Sequence, residues 1–346
     1  MKFIMTMLSE SAYCPFPEGS ETKICCLLNG LWQVSGAHGA IDPARALPDM
    51  LAYHDAGFTT WDLADHYGPA EDFIGAFRRL LEEQRGEADL KQVRAFTKWV
   101  PRPGPMTRQI VEQAVDTSRR RMAMSSLDLL QFHWWDYQDP LYLDALQHLA
   151  DLRVQGKLKH LGLTNFDTEH LAVIAEQGIR VVSNQVQFSI IDRRPEREMI
   201  PFCQQHGISL LTYGTYCGGL LSEKYLGQLE PGYGTLNTAS LRKYKQMIDA
   251  WGGWALFQEL LAALKSIADK HAISIANVAV RYILDKPSVA GVIAGVRLGL
   301  SEHRADNARV FGLTLDTEDL DRIRAVTNRS RDLFHSIGDC GAEYRR

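Results

Sequence analysis

Short apolar runs alternate with helix-like patterns along most of this chain, and this alternation restricts the possible folds more than any other feature. Runs such as VRAFTKWV and LDLLQFHWW are each followed by a segment with helical periodicity. The pair recurs about eight times, and the runs are almost continuously apolar, as is typical of parallel strands buried on both faces. The repeat predicts a single-domain α/β fold, a (β/α)₈ TIM barrel, with an open doubly wound sheet as the second choice.

No change of composition divides the 346 residues into separate domains. We expect an irregular N-terminal segment at 1–20, the barrel at 21–330 and a C-terminal tail at 331–346. The most irregular connection, SEKYLGQLEPGYGTLNTASLRKYKQMIDAWGG, follows the predicted seventh strand. Loops of this length inside compact domains are typically functional, so this one is expected to clamp a ligand. The pattern leaves open whether the tail covers the barrel mouth or extends freely.

The composition excludes several classes of protein. The formal net charge of −4 indicates no general attraction to nucleic acid or to anionic membranes. No stretch approaches the roughly 20 apolar residues that span a bilayer, and the apolar part of MKFIMTML is too short for a secretory signal. The six cysteines lack the paired spacing of a zinc site. We therefore expect a cytoplasmic protein with reduced thiols and no metal, whose partners include neither nucleic acid nor membrane.

Four polar residues stand at or just beyond the ends of predicted strands. Asp62 ends the second strand, Tyr67 lies in the loop beyond it, Lys98 ends the third strand and His133 the fourth. Each alone has an ordinary explanation, such as a helix cap, a solvated cation or a packing histidine. In a barrel, however, these strand ends meet at one mouth, where active sites lie.

Together the four groups predict proton donation to an oxygen that gains negative charge. A phenol is a weak acid at neutral pH, and a nearby ammonium is expected to lower its pKa. The carboxylate of Asp62 would keep Lys98 charged and in place. The imidazole of His133 would hydrogen-bond and orient a carbonyl oxygen.

The segments GFTTWDLADHYGPAEDFIG, AFTKW and LDLLQFHWWD resemble, in this order, the signature regions of the aldo-keto reductase family. The resemblance extends from about Leu28 to Val326 and supports the barrel. In that family an Asp, Tyr, Lys, His tetrad reduces carbonyl groups with a nicotinamide cofactor, and none of the four is substituted here. The resemblance implies an NAD(P)H-dependent oxidoreductase that converts an aldehyde or ketone to an alcohol. The implied catalytic residues are Asp62, Tyr67, Lys98 and His133.

The chain contains no G-x-G-x-x-G motif, so a Rossmann phosphate loop is not available. A barrel can instead hold phosphates with the loops after its seventh and eighth strands. The resemblance assigns the nicotinamide to LGLTNFD and SNQVQF, the pyrophosphate to TYGTYCGGLLSEK and the adenosine end to VIAGVRLGLSEHRADN. The implied cofactor-binding residues are Gly30, Leu31, Trp32, Asp62, Thr164, Asn165, Gln185, Tyr213, Gly214, Thr215, Gly218, Leu220, Lys224, Gly295, Arg297, His303 and Asn307.

The resemblance implies NADP as the cofactor, with NAD as the alternative. A basic residue in the adenosine segment commonly meets the 2′-phosphate of NADP, because a guanidinium matches phosphate oxygens, and Arg297 is that residue here. The chain departs from the family at Thr164, where serine is usual, and at Ala294, where proline is frequent. The span 297–307 is also slightly longer than in many relatives.

Aromatic side chains near the predicted mouth would form an apolar wall around a small carbonyl or sugar substrate. The expected substrate contacts are Trp32, Tyr67, Trp99 and His133. Asp65, His66 and Tyr216 are further candidates at the rim, whereas Trp134 and Trp135 are expected to pack under the loops.

Three other functions stay open. The same groups run in reverse would oxidise a sugar or secondary alcohol, with Tyr67 as the base. Channel β subunits resemble this family in fold and tetrad and use the bound nucleotide to sense redox state. A phosphate-binding isomerase or lyase would use the barrel without redox chemistry.

Overall fold

The structure, a computed structural model, describes residues 8–36 and 41–345. Its strands are β1 (Tyr13–Pro15), β2 (Lys23–Cys25), β3 (Leu27–Gly30), β4 (Thr60–Asp62), β5 (Arg94–Trp99), β6 (Leu127–His133), β7 (Leu158–Thr164), β8 (Ser183–Gln187), β9 (Ser209–Tyr213) and β10 (Val289–Gly295). Strands β3 to β10 are parallel neighbours and close into one barrel, with β10 beside β3. The predicted (β/α)₈ barrel in a single domain is confirmed.

Helices connect the strands around the outside of the barrel. They are α1 (Pro43–Asp55), α2 (Ala70–Arg85), α3 (Glu87–Leu90), α4 (Arg108–Arg121), α5 (Leu141–Val154), α6 (Thr168–Glu176), α7 (Met199–His206), α8 (Ala239–Trp251), α9 (Gly253–Lys270), α10 (Ile275–Leu284), α11 (Arg304–Ala308), α12 (Thr317–Thr327) and α13 (Leu333–Ile337). Several begin where the sequence supplies a cap: Thr107 accepts the backbone N–H of Ile110, and Asp167 that of His170. The caps fix where each helix leaves its strand.

The barrel interior is built in layers that follow the alternation of each strand. Phe96 and Leu129 are paired in register on β5 and β6, and so are Lys98 and Gln131, two residues further along. Since residues two apart in a strand face the same side, an apolar layer lies directly beneath a polar one. The polar layer is therefore at the C-terminal end of the barrel.

The N-terminal segment was predicted to be irregular, but its described part contains a strand. Residues 1–7 lie outside the described residues. Strands β1 and β2 form an antiparallel hairpin, with Tyr13 opposite Cys25. Phe16, in the hairpin loop, is buried in a cluster with Phe96, Leu129 and other inward-facing residues. Its ring centroid lies 5.2 Å from that of Phe96. The hairpin therefore closes the end of the barrel opposite the polar layer.

The long connection after β9 is only partly irregular, which corrects the predicted loop. Its second half forms α8, which begins after Thr238, whose hydroxyl accepts the N–H of Leu241. The buried residues Met247, Ile248 and Trp251 recur at helical spacing on its inner face. This periodicity was present in the sequence and makes α8 a fixed wall beside the barrel mouth.

The C-terminal tail folds back over the mouth, which settles the alternative that the sequence leaves open; residue 346 lies outside the described part. The backbone N–H of Thr168, at the start of α6, donates to Asp339 over 2.7 Å. Arg194, in the loop after β8, donates to Glu343 over 2.9 Å. Both anchors are C-terminal to barrel strands, so the tail lies at the functional end.

Three absences apply to residues 8–36 and 41–345. No helix there has the length and apolar character needed to cross a membrane. No group of three or more histidine, cysteine, aspartate or glutamate side chains in this part could hold a metal ion. All six cysteines lie in it and are unpaired.

Truncating the hairpin plug should destabilise the barrel. Phe16→Ala removes a ring that is 1% exposed, and such a change leaves a cavity that costs about 3–5 kcal/mol. Urea unfolding followed by far-UV circular dichroism measures the loss. Val154→Ala is the control, because Val154 is 83% exposed. Equal losses in the two variants would show that the hairpin does not close the core.

Candidate active site

The strand ends bring the four predicted catalytic residues to one place. Asp62, Lys98 and His133 end or nearly end β4, β5 and β6, and each is no more than 3% exposed. Tyr67 lies in the loop after β4 and is partly buried. Its ring centroid lies 5.0 Å from the Lys98 Nζ and 4.9 Å from the ring of Trp32, edge to face.

A buried ion pair forms the base of the site. The Lys98 Nζ donates to the Asp62 Oδ2 over 2.6 Å and to the backbone oxygen of Leu63 over 3.0 Å. The Asp62 Oδ1 accepts from the amide nitrogens of Gln131 at 3.0 Å and Gln185 at 2.7 Å. Both oxygens of the carboxylate thus accept hydrogen bonds. A buried ion pair is tolerated when its remaining hydrogen-bonding capacity is satisfied in this way.

Gln131 belongs to this hydrogen-bonded group but was not predicted from the sequence. Its Oε1 also accepts from the Gln185 Nε2 over 2.7 Å. A signal was available, because Gln131 is the one amide in the apolar strand LDLLQFH and lies two residues before His133. Residues two apart in a strand face the same side, so Gln131 had to face the interior with the histidine.

The phenol of Tyr67 is protonated at neutral pH. Burial raises the pKa of Tyr67 well above its usual value, and the nearby Asp62, Tyr344 and Asp65 raise it further. The expected net lowering of this pKa is not seen, because burial outweighs any effect of the nearby Lys98 ammonium. Burial also lowers the pKa of Lys98, with Asp62 opposing the effect. The site holds a proton donor beside a cation that is already paired.

His133 is neutral and presents a hydrogen-bond acceptor. Its Nδ1 lies 3.0 Å from the backbone oxygen of Thr164, which can only accept, so Nδ1 carries the hydrogen. Burial lowers the pKa of His133 to about 4, outweighing that hydrogen bond. The Nε2 is buried without a partner. The free lone pair can receive a hydrogen bond from a hydroxyl group.

The residues predicted to bind nicotinamide lie together beside His133. Asn165 follows β7 with φ of 58°, and its N–H donates to the backbone oxygen of Gln185 over 2.8 Å. The Tyr213 hydroxyl, at the end of β9, donates to the Asn165 Oδ1 over 2.8 Å. The Thr164 Oγ1 is buried without a partner. A carboxamide carries both the donor and the acceptor that such an unpaired hydroxyl needs, so these residues fit a nicotinamide.

The loop after β9 offers backbone rather than side chains to a phosphate. Gly214 and Gly218 have left-handed φ of 78° and 66°, and a Cβ on Gly214 would lie 2.6 Å from the Tyr244 hydroxyl. Thr215 donates its hydroxyl inward to the backbone oxygen of Phe188. Leu220 is fully buried, whereas Lys224 is exposed. Of the predicted side chains in this loop, Lys224 alone points to solvent.

The predicted adenosine end lies where β10 leaves the barrel. Gly295 is in register with Gly30 of β3, and the N–H of Leu31 donates to the Asp62 backbone oxygen. Arg297 is exposed and makes no ion pair or hydrogen bond through its side chain within the described residues. His303 is also exposed, and Asn307 lies half-buried on α11. Arg297 is therefore free to meet an anion.

Trp99 does not lie where a substrate-contacting residue was predicted. Trp99 follows the inward-facing Lys98, and alternate residues of a strand face opposite sides, so its ring points out of the barrel. It packs 5.5 Å from the ring of Phe132 and lines a cavity with Glu71 and Ser118. Trp135 takes its place near the mouth, since it is 44% exposed and its ring lies 4.3 Å from that of His133.

The rim candidates Asp65, His66 and Tyr216 and the remaining tryptophan, Trp134, differ in their exposure to solvent. His66 hydrogen-bonds Asp65 over 2.9 Å at the exposed edge. Trp134 packs under its loop as expected, with its Nε1 donating to the backbone oxygen of Asp136 over 2.7 Å. Tyr216 packs against the core, and burial raises its pKa well above the usual value.

The tail contributes two side chains that no sequence pattern indicated. The Tyr344 hydroxyl lies 3.1 Å from that of Tyr213, and its ring lies 6.5 Å from that of His133. The Arg345 Nη2 donates to the backbone oxygen of Trp134 over 3.2 Å. Tyr344 therefore lies between the predicted nicotinamide and catalytic residues.

Known proteins resemble this chain over most of its length. Flagellar radial spoke protein 5 of Chlamydomonas reinhardtii is 29% identical over 257 residues, which cover 64% of this chain and 49% of that protein. The aldo-keto reductase YhdN of Bacillus subtilis is 24% identical over 308 residues, covering 86% of this chain and 88% of the relative. The chain thus spans about half of the first relative and most of the second.

Solved structures share the fold. A glycerol dehydrogenase from Gluconobacter oxydans superposes with a TM-score of 0.75 at 23% identity, covering 93% of this chain and 96% of the other. The sequence model of the aldo/keto reductase family matches residues 26–328. That match covers most of the barrel, including all four strand-end residues described above, and on this evidence the chain belongs to the aldo/keto reductase family.

Proposed function

We propose that the chain is an NAD(P)H-dependent oxidoreductase that reduces the carbonyl group of a small aldehyde or ketone. The observation that carries this proposal is the buried Asp62–Lys98 pair beside a protonated Tyr67. A neutral His133 faces the same space. A proton donor, a charge that can stabilise its anion and an oriented acceptor thus lie together at the barrel mouth.

The chain would hold the cofactor at three places. Thr164, Asn165 and Gln185 would bind the nicotinamide amide, with Tyr213 beside its ring. The backbone N–H groups of Thr215 and Tyr216, which donate to no backbone oxygen of the described residues, would face the pyrophosphate, since unpaired N–H groups attract anions. The nicotinamide, when bound, supplies the hydride to the substrate carbon or takes it back.

Tyr67 would deliver the proton to the substrate oxygen. Its raised pKa keeps it protonated in the closed site. Once the proton leaves, the phenolate stands near the Lys98 ammonium, whose Nζ lies 5.0 Å from the ring centroid. In a buried site such a charge stabilises the developing anion far better than in water. Asp62 keeps Lys98 in that position.

A specific observation also favours the reverse reaction as a second candidate. The neutral His133 offers an acceptor at Nε2, and an acceptor holds an alcohol hydroxyl rather than a carbonyl oxygen. In that direction the chain oxidises a sugar or secondary alcohol. Tyr67 acts as the base only as its phenolate, so its raised pKa makes this reaction faster at alkaline pH. The ratio of turnover with NADPH and aldehyde to turnover with NADP⁺ and alcohol separates the two.

Removing the phenolic hydroxyl should abolish most turnover. Tyr67→Phe is expected to lower kcat by roughly 10²–10⁴-fold, the usual contribution of a positioned acid. Quenching of tryptophan fluorescence by NADPH should stay near wild type, because the ring that packs on Trp32 is kept. Turnover of simple aldehydes near the wild-type rate would exclude Tyr67 as the donor. Absence of any quenching in the wild type would instead exclude the cofactor.

The neutral state of His133 should appear in the pH dependence of stability. Burial lowers its pKa from 6.5 to about 4, so between these values the unfolded chain binds more protons than the folded one. The free energy of unfolding should therefore fall as the pH drops from 6.5 to 4, by on the order of 3 kcal/mol from this group. Urea unfolding of His133→Gln beside wild type isolates the effect. A difference between them that does not change with pH would contradict it.

Arg297 should set the preference for NADPH. A guanidinium bonded to the 2′-phosphate is worth about 1.5–3 kcal/mol, so Arg297→Ala should weaken NADPH binding roughly ten-fold or more and leave NADH binding unchanged. Fluorescence titrations with both nucleotides measure this. Arg324→Ala, at an exposed ion pair on α12, is the matched control. Equal weakening for both nucleotides would remove the assigned role.

A further inference from the structure

We propose that residues 338–345, here called the tail gate, contact the same groups as the nicotinamide ring and must shift before the nucleotide binds. The inference rests on the proposed function in assigning Asn165 and Tyr213 to the nicotinamide. It adds that access to these residues is controlled by this chain's own C-terminal segment.

The tail gate is held in place by buried charge. Arg194 is 2% exposed, and its Nε and Nη2 each donate to a carboxylate oxygen of Asp192 over 2.8 Å. Its Nη1 reaches Glu343 at 2.9 Å and the backbone oxygen of Asp339 at 3.1 Å. Burial would raise the pKa of Glu343, but Arg194 lowers it overall. The ion pair therefore persists at neutral pH and fixes the tail gate over the mouth.

The tail gate meets both nicotinamide residues directly. Gly341 has φ of 84°, and a Cβ there would lie 2.1 Å from the backbone oxygen of Asn165. The Tyr344 and Tyr213 hydroxyls lie 3.1 Å apart, while Tyr213 donates its own hydrogen to the Asn165 Oδ1. The hydroxyl has one hydrogen, so it accepts from Tyr344. These hydrogen bonds connect Tyr344 of the tail gate, through Tyr213, to the side-chain oxygen of Asn165.

Lys243 of α8 closes the remaining side of this group. Its Nζ lies 5.2 Å from the ring centroid of Tyr213, 5.5 Å from that of Tyr244 and 4.4 Å from that of Tyr344. It also donates to the Tyr344 hydroxyl. Within 8–36 and 41–345 it has no carboxylate within ion-pair distance. The ammonium is thus held by three aromatic rings and covers one face of Tyr213.

Contact with the same groups makes the tail gate and the nucleotide compete. A nicotinamide amide needs the Asn165 side chain, and a nicotinamide ring needs a free face of Tyr213. Tyr344 of the tail gate hydrogen-bonds the Tyr213 hydroxyl that donates to Asn165. Tyr344 also holds Lys243 of α8 over one face of Tyr213. By linkage, whatever weakens the tail contacts must strengthen nucleotide binding, and the nucleotide must loosen the tail by the same factor.

Two variants loosen the tail gate without replacing the side chain of Asn165 or Tyr213. Glu343→Gln removes the ion pair but leaves Arg194 bonded to Asp192. Gly341→Ala places a methyl group against the Asn165 backbone oxygen and so displaces the segment. Arg197→Gln is the matched control, because it breaks an exposed 3.2 Å pair with Asp332, which caps α13 and lies outside the tail gate.

Stopped-flow quenching of tryptophan fluorescence by NADPH, on the full chain, gives the rate and equilibrium constants. Both loosening variants should bind NADPH at least about five-fold more tightly, the lower end of usual coupling energies, with faster association. Arg197→Gln should match wild type. Hydrogen exchange of 338–345 in wild type should speed up when NADPH is added.

The outcomes separate this inference from the proposed function. If wild type binds NADPH and the two variants bind it equally or more weakly, the tail gate is refuted and the proposed function stands. Slower exchange of 338–345 with NADPH would show that the nucleotide tightens the tail, which also refutes the gate. If no form of the protein binds NADPH or NADH, both proposals fail. Binding by the loosened variants alone would support the gate in its strongest form.

Discussion

The buried ion pair between Asp62 and Lys98 is the interaction on which the rest of the site depends. Removing two charges from water costs several kcal/mol per ion, and their attraction offsets this only when the remaining lone pairs are satisfied. Here the second oxygen of Asp62 is bonded by Gln131 and Gln185. These four side chains come from β4, β5, β6 and β8, so the pair is satisfied only in a closed barrel. The geometry of the site therefore depends on closure of the barrel.

Burial also sets the protonation of the groups around the pair. The apolar layer of Phe96 and Leu129, covered below by the hairpin residue Phe16, keeps water away from the polar layer. The same exclusion of water raises the pKa of Tyr67 and lowers that of His133. Both groups are therefore neutral, one as a donor and one as an acceptor. The charge of the site is confined to the pair beneath them.

The sequence predicted the barrel and the four strand-end residues because both follow from local patterns. Apolar runs mark strands, and a polar residue at the end of such a run must lie at the mouth. Trp99 was wrongly predicted to face the substrate because its nearness to Lys98 along the chain was considered and the alternation of side chains along a strand was not. The same alternation indicates that Gln131 faces the interior. The contact between Arg194 and Glu343 joins residues 149 apart. No local pattern encodes such a pairing, so the covering of the mouth by the tail could not be derived.

The tail and the proton donor act on each other through burial. Tyr344 is one of the groups that raise the pKa of Tyr67, and its segment shields the mouth from solvent. When the segment moves away, water enters and this contribution is lost, so the phenolate becomes less unfavourable. With the proposed tail gate closed, the nucleotide is kept out and the proton stays on Tyr67. Displacement of the tail gate by the nucleotide would therefore admit the cofactor and, by removing Tyr344, ease transfer of the proton to a substrate oxygen of growing negative charge.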